Sequence, residues 1–105
     1  MFKFAAAVAL AGALFSGAAF AQPAKPTVVL VHGAFADSSS WNGVVEILRK
    51  DGFPVVAAAN PLRSVSSDAA YVSDVVGSIA GPVVLVGHSY GGQVISVAAN
   101  GHGNV

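Results

Sequence analysis

Residues 82–92 read PVVLVGHSYGG, and they leave the chain few ways to fold. The aliphatic, β-branched run Val83–Val86 suits a strand covered on both faces, as in a parallel sheet. It passes straight into Gly87-His88-Ser89-Tyr90-Gly91, and apolar residues resume at Val94 and Ile95 with helical spacing. A serine with glycines two residues to either side meets that demand. The backbone turns sharply from strand to helix, the serine takes a strained conformation, and side chains at 87 and 91 would strike neighbouring backbone. The Ser89 hydroxyl is expected to stand out from the carboxyl edge of the sheet, at a helix N-terminus that favours negative charge. A glycine-rich turn that merely contains serine is the plainer alternative; the strand before and the helix after weigh against it.

The rest of the chain supplies a matching frame. Thr27–Val31 is a second fully apolar strand, ending at His32-Gly33. Asp37, Ser38, Ser39 and Ser40 offer caps for a helix from about Ser39 to Lys50, whose stripe is Trp41, Val44, Val45 and Leu48. Arg49 and Lys50 suit its last turn, and Gly52 its end. A strand is expected over Pro54–Ala59, then a helix from Ser66 or Ser67 to about Ala80 with Val72, Val75, Val76 and Ile79 inward. Asp68 and Asp74 read as solvated positions on that helix, and Asp37 as a cap. After the strand Val83–Val86, the final helix carries Val94, Ile95, Val97 and Ala98 and stops at Asn100-Gly101. The order β-α-β-α-β-α defines an α/β class: three parallel central strands with flanking helices. VVLV occurs in both the first and third strands because both share a buried environment, so no repeat is inferred.

Composition bears on the ends and on partners. Of 105 residues, 54% are hydrophobic and 10% charged, partly because of MFKFAAAVALAGALFSGAAFA at residues 1–21. One cation, an apolar middle and a closing Ala19-Phe20-Ala21 predict a secretory signal peptide cleaved after Ala21. A membrane-spanning anchor is the alternative, disfavoured by the weakly hydrophobic Ala and Gly and by the lack of a basic stop-transfer cluster. Residues 22–26, with Pro23 and Pro26, form an extended linker, and 27–105 form the domain. The expected location is secreted or periplasmic, with no membrane association once the signal is removed. Five Lys and Arg balance five Asp and Glu without a basic face, so nucleic acid is not an expected partner. There is no cysteine, no phosphate loop and no dinucleotide fingerprint, and the three histidines lack metal-ligand spacing, so neither metal nor cofactor is expected.

His32-Gly33-Ala34-Phe35 is the second chemical motif. Acyl transfer needs donors aimed at the oxyanion formed on attack. With Ser89 as nucleophile, one is the N–H of Tyr90 and the other comes from a loop after a neighbouring strand. Gly33 allows that loop to come close; Ala34 N–H is the first choice and Phe35 N–H the second. A plain connecting loop is the alternative.

Together, HGAFADSSSW after one strand and GHSYGG after another resemble the amino-terminal part of an α/β-hydrolase, of the esterase-like kind. The resemblance covers residues 27–105. It implies that the first strand lies between the other two, that the two motif loops face each other where strand order reverses, and that His32 packs beneath the oxyanion loop. It also implies a small-molecule acyl substrate, with ester, thioester, carbon–carbon and cyanohydrin cleavage all open. A serine nucleophile disfavours the aspartate-dependent dehalogenase and epoxide hydrolase chemistries.

In that family an acid and a histidine follow the serine. Here Tyr90–Val105 contains no Asp or Glu, and its one histidine, His102, lies roughly 20 Å along a helix from Ser89 at 1.5 Å per residue. His102 reads as a turn residue before a strand that Asn104-Val105 would begin. His88, beside the nucleophile, is expected to point away from the hydroxyl, and His32 is expected to pack rather than act as base. The expectation is thus a fragment of a secreted serine hydrolase without the Asp and His of the triad, poorly soluble when residues 22–105 stand alone. The alternative is a catalytically inactive fragment or noncatalytic binding module. The oligomeric state is not set by the sequence.

Overall fold

A computed structural model describes residues 25–105. The expected signal peptide, its cleavage after Ala21, and linker residues 22–24 lie outside the described residues. The elements are β1 (Thr27–Val31), a 3₁₀ turn (Ser38–Trp41), α1 (Asn42–Lys50), β2 (Val55–Ala58), α2 (Val65–Gly77), β3 (Val83–Gly87) and α3 (Tyr90–Ala98). The three strands form one parallel sheet in the order β2-β1-β3. Val28 to Val31 face Val55 to Ala58 on one side, and Thr27 to Val31 face Val83 to Gly87 on the other. The three-stranded α/β expectation holds, with β1 in the middle.

That central place explains its composition: Val29 and Val31 are 0% exposed and Leu30 1%. Right-handed crossovers running in opposite directions from β1 to β2 and from β2 to β3 put α1 and α2 on opposite faces. On one face, Val29, Val31 and Ala58 meet Ala69, Val72 and Val76 of α2 and Val94 and Ala98 of α3. Full burial of each valine there contributes about 1.5–3 kcal/mol. Strand alternation turns Val28 and Leu30 the other way, and α1 with its preceding turn packs on β2 and β1.

Several boundaries differ from expectation for local reasons. The first helix opens as a 3₁₀ turn because its serines compete with the α ladder. Ser39 N donates to the Asp37 carboxylate at 2.9 Å, while Ser40 N and Oγ both donate to the Asp37 carbonyl, at 3.1 and 2.8 Å. Val44, expected inside, is exposed; Trp41, Val45 and Leu48 are half-buried. Ser64, earlier than expected, caps α2 by accepting from Ser67 N at 3.1 Å, and α2 ends at Gly77. Gly52 ends α1 at φ +85°, as expected of a helix stop.

β3 departs from the picture of a strand covered on both faces. Val83 is buried, but Val84 is 45% exposed, since α1 and its preceding turn pack on β2 and β1 and leave that face of β3 largely uncovered among the described residues. Val97 on α3 is likewise exposed. The expected strand at Asn104-Val105 does not form. Instead Asn104 secures the amino edge of the sheet: its carbonyl accepts from Val83 N at 2.9 Å, and its Nδ2 donates to Ile79 O and Gly81 O at 3.3 and 2.9 Å.

Candidate active site

The carboxyl ends of β1 and β3 lie side by side, and the pairing continues one residue past β3 through His88 N to Val31 O at 3.1 Å. Ser89 follows at φ +53°, ψ −120°, one of two non-glycine residues at positive φ among those described, the other being Leu62. Holding a residue with a side chain there costs on the order of 1–3 kcal/mol. α3 begins at the next residue, and Gly91 N and Gly92 N donate back to His88 O and Ser89 O at 2.9 and 2.8 Å. The exposed Ser89 hydroxyl makes no capping bond to the helix it precedes.

The flanking glycines are required by contact. A Cβ on Gly87 would sit 2.5 Å from the Gly91 carbonyl and 2.6 Å from Gly92 N; one on Gly91 would sit 2.3 Å from Val31 O. At these distances backbone itself would have to shift. At Gly33 in the facing loop the fit is tight but less severe: a Cβ would lie 3.2 Å from His88 Nδ1, 3.3 Å from His88 O and 3.6 Å from Ser89 Cβ.

Gly33, Ala34, Phe35, Ala36, His88 and Ser89 line one cavity of about 200 Å³. His88 also borders a second, of about 240 Å³, with Ser40, Trp41 and Val44. The two motifs separated by more than fifty residues of sequence thus share one crevice, at the point where strand order reverses. Among the described residues, the N–H groups of Ala34, Phe35 and Tyr90 have no protein acceptor. The Phe35 side chain is fully exposed.

The histidines separate clearly. His32 is 2% exposed, and its Nδ1–H donates to the Gly33 carbonyl at 2.9 Å, beneath the loop. His102 pairs through Nε2 with the Ser73 hydroxyl of α2 at 2.7 Å, close to the amino edge and the far end of β3 from Ser89. His88 is exposed, with its Nδ1 3.2 Å from the position a Gly33 Cβ would take. Asp37 caps the 3₁₀ turn, and hydrogen bonds from the Ser39 hydroxyl and amide hold its carboxyl below the ordinary aspartate value.

Asp68 corrects an expectation. Read as solvated, it is 0% exposed. Its carboxylate accepts from Leu62 N and Arg63 N, each at 3.1 Å, and from the Tyr90 hydroxyl at 2.7 Å. Burial opposes its charge, but the bonds from Tyr90, Arg63 and Leu62 prevail and hold its pKa below the usual value. The buried Asn60 carboxamide lies nearby, outside hydrogen-bonding geometry, and pulls the same way. The Tyr90 phenol is pushed up in turn, chiefly by its bond to Asp68. The helical period contained a signal for this: Asp68, Val72 and Val76 recur every four residues, on one buried stripe.

A parallel α/β sheet, strand order reversed at a crevice, and a strained serine between strand and helix define the class of fold. Residues 28–105 match the family described as the alpha/beta hydrolase family, and the chain belongs to it. No curated protein matches it. Among solved structures it is similar to an extracellular alpha/beta-hydrolase from a Paenibacillus species, described as sharing structural and functional homology with tobacco salicylic acid binding protein 2. The identity is 25%, the TM-score 0.66, and the match covers 75% of this chain and 36% of that one. It is also similar to a histidine-to-alanine variant of PytH, with 25% identity and a TM-score of 0.65, over 77% of this chain and 37% of that one. The chain spans little more than a third of either structure's length. Among the described residues, no helix is long and apolar enough to cross a membrane.

Proposed function

We propose that the chain carries the nucleophile and oxyanion half of a secreted serine hydrolase that cleaves a carboxylic ester. Ser89 Oγ attacks the ester carbonyl, its proton passes to a histidine base, and the alcohol leaves with a proton returned by that base. Water then releases the acid from the acyl-serine by the same route. The N–H groups of Tyr90 and Ala34 stabilise the oxyanion of each tetrahedral intermediate, with Phe35 N–H the second choice for the loop donor. Loss of one such donor costs about 10²–10³ in rate. His32 does not serve as base because its ring is buried beneath the loop, nor does His102, which is paired with Ser73 toward the amino edge of the sheet. The base and its carboxylate partner come from outside residues 1–105. The leader-like residues 1–21 and the extracellular relative support export.

The single observation that carries this reading is the uncapped Ser89 hydroxyl at φ +53°, across a crevice from the Gly33–Phe35 loop. Treatment of the full chain with a fluorophosphonate, with imidazole supplied as the base, tests it. A covalent adduct mapping to Ser89 and lost in Ser89→Ala is expected. Equal labelling of both proteins, or none with imidazole present, contradicts the reading.

A further inference from the structure

Nothing in an ester mechanism requires a carboxylate at position 68, yet one is enclosed there. Asp68 lies on α2 in line with Val72 and Val76, where an unpaired charge would be strongly unfavourable. Three donors answer it, and they come from two other parts of the fold. Leu62 and Arg63 belong to the turn after β2, where Leu62 has φ +60°. The third is the hydroxyl of Tyr90, the first residue of α3 and the neighbour of Ser89.

Tyr90 therefore has two ends with different duties. Its backbone N–H, next to Ser89, has no acceptor among the described residues, while its side chain reaches back to a buried anion. A free N–H at the start of a helix has no partner of its own to set its direction. Around it, the Gly91–His88 and Gly92–Ser89 bonds close the turn, and the Tyr90–Asp68 bond fastens the turn to the interior. A rotation of this first turn that re-aimed the amide would also pull the phenol off the carboxylate. The bond is charge-assisted and part-buried, the kind that resists such a movement.

We propose that Asp68 is a positioning residue: through the Tyr90 hydroxyl it fixes the angle at which the Tyr90 N–H meets the oxyanion. This rests on the reading of that N–H as an oxyanion donor. Two measurements on the full chain test it, using Tyr90→Phe, which keeps the ring and removes the bond, and Asp68→Asn, which keeps the shape and removes the charge.

In the first, amide hydrogen exchange of Gly91 and Gly92 quickens about tenfold in each variant while that of Val29–Val31 stays at the wild-type rate. In the second, imidazole-assisted phosphonylation of Ser89 slows about tenfold in each, with the half-saturating probe concentration unchanged, and the double variant is no slower than the slower single. Exchange that is unchanged at Gly91 and Gly92, or faster throughout the sheet, overturns the proposal. So does additive slowing in the double variant. If the wild type does not label, the serine-nucleophile reading fails by itself, and the exchange pattern alone decides whether Asp68 holds the turn.

Discussion

The two ends of the same three strands are built on opposite terms. At the amino edge, polar groups are matched: Thr27 N with Pro82 O, Val28 N with Pro54 O, Val83 N with Asn104 O, and the Asn104 amide with two carbonyls. At the carboxyl edge, a serine is held at positive φ, its hydroxyl makes no cap, and three nearby N–H groups lack partners among the described residues. Each edge also has a serine near a histidine. The better bonded of these pairs, Ser73 with His102 at 2.7 Å, lies toward the amino edge, away from the crevice. A bonded serine–histidine pair therefore does not make a site by itself. Strain, free donors and a facing loop distinguish Ser89, and those features collect at one end of the sheet.

Changes at either edge sharpen this contrast. The largest effect is expected from Gly91→Ala, whose Cβ would lie 2.3 Å from Val31 O. Destabilisation by about 3 kcal/mol or more, read by urea denaturation, is the expected result; a shift below about 1 kcal/mol would show that the elbow yields. Next is Asn104→Ala at the amino edge, which removes two side-chain hydrogen bonds. It should cost about 1–2 kcal/mol by the same assay and leave the rate of Ser89 labelling unchanged.

Ser89→Gly should do the reverse, abolishing labelling while raising stability by about 1 kcal/mol through relief of the positive-φ strain. Loss of stability instead would mean that the serine is not strained. The smallest effect belongs to pH. The lowered carboxyl of Asp37 gives a stabilising contribution that is present above the ordinary aspartate value of about 4 and lost as pH falls through its folded value. Asp37→Asn should therefore narrow its difference from wild type as acid is added, as followed by thermal melts between pH 6 and pH 2; a difference that grows in acid contradicts the assignment.

How much of this could be read from the chain differs between the edges. The VVLV runs announced parallel strands, and the glycines of GHSYGG announced a sharp bend, because steric exclusion acts within a few residues and leaves a direct mark on sequence. Strand order followed from the resemblance, with no local signal of its own. Asp68 was misread because an acid in the first turn of a helix suits solvent equally well; its period with Val72 and Val76 pointed inward, but the donors that make burial tolerable lie six residues before it and twenty-two after it. Val44 and Val84 show the converse. A valine states a preference for burial, and whether anything covers it is decided by elements elsewhere. The early start of α2 reflects Ser64 winning over Ser66 and Ser67 as cap, a competition among adjacent serines that propensity does not rank.

The most direct test is a crystal structure of the full chain after phosphonylation. The account predicts a phosphorus bonded to Ser89 Oγ, with one phosphonyl oxygen about 2.7–3.1 Å from both the Tyr90 and Ala34 amide nitrogens. A phosphonyl group turned to solvent, with those amides facing elsewhere, would contradict it.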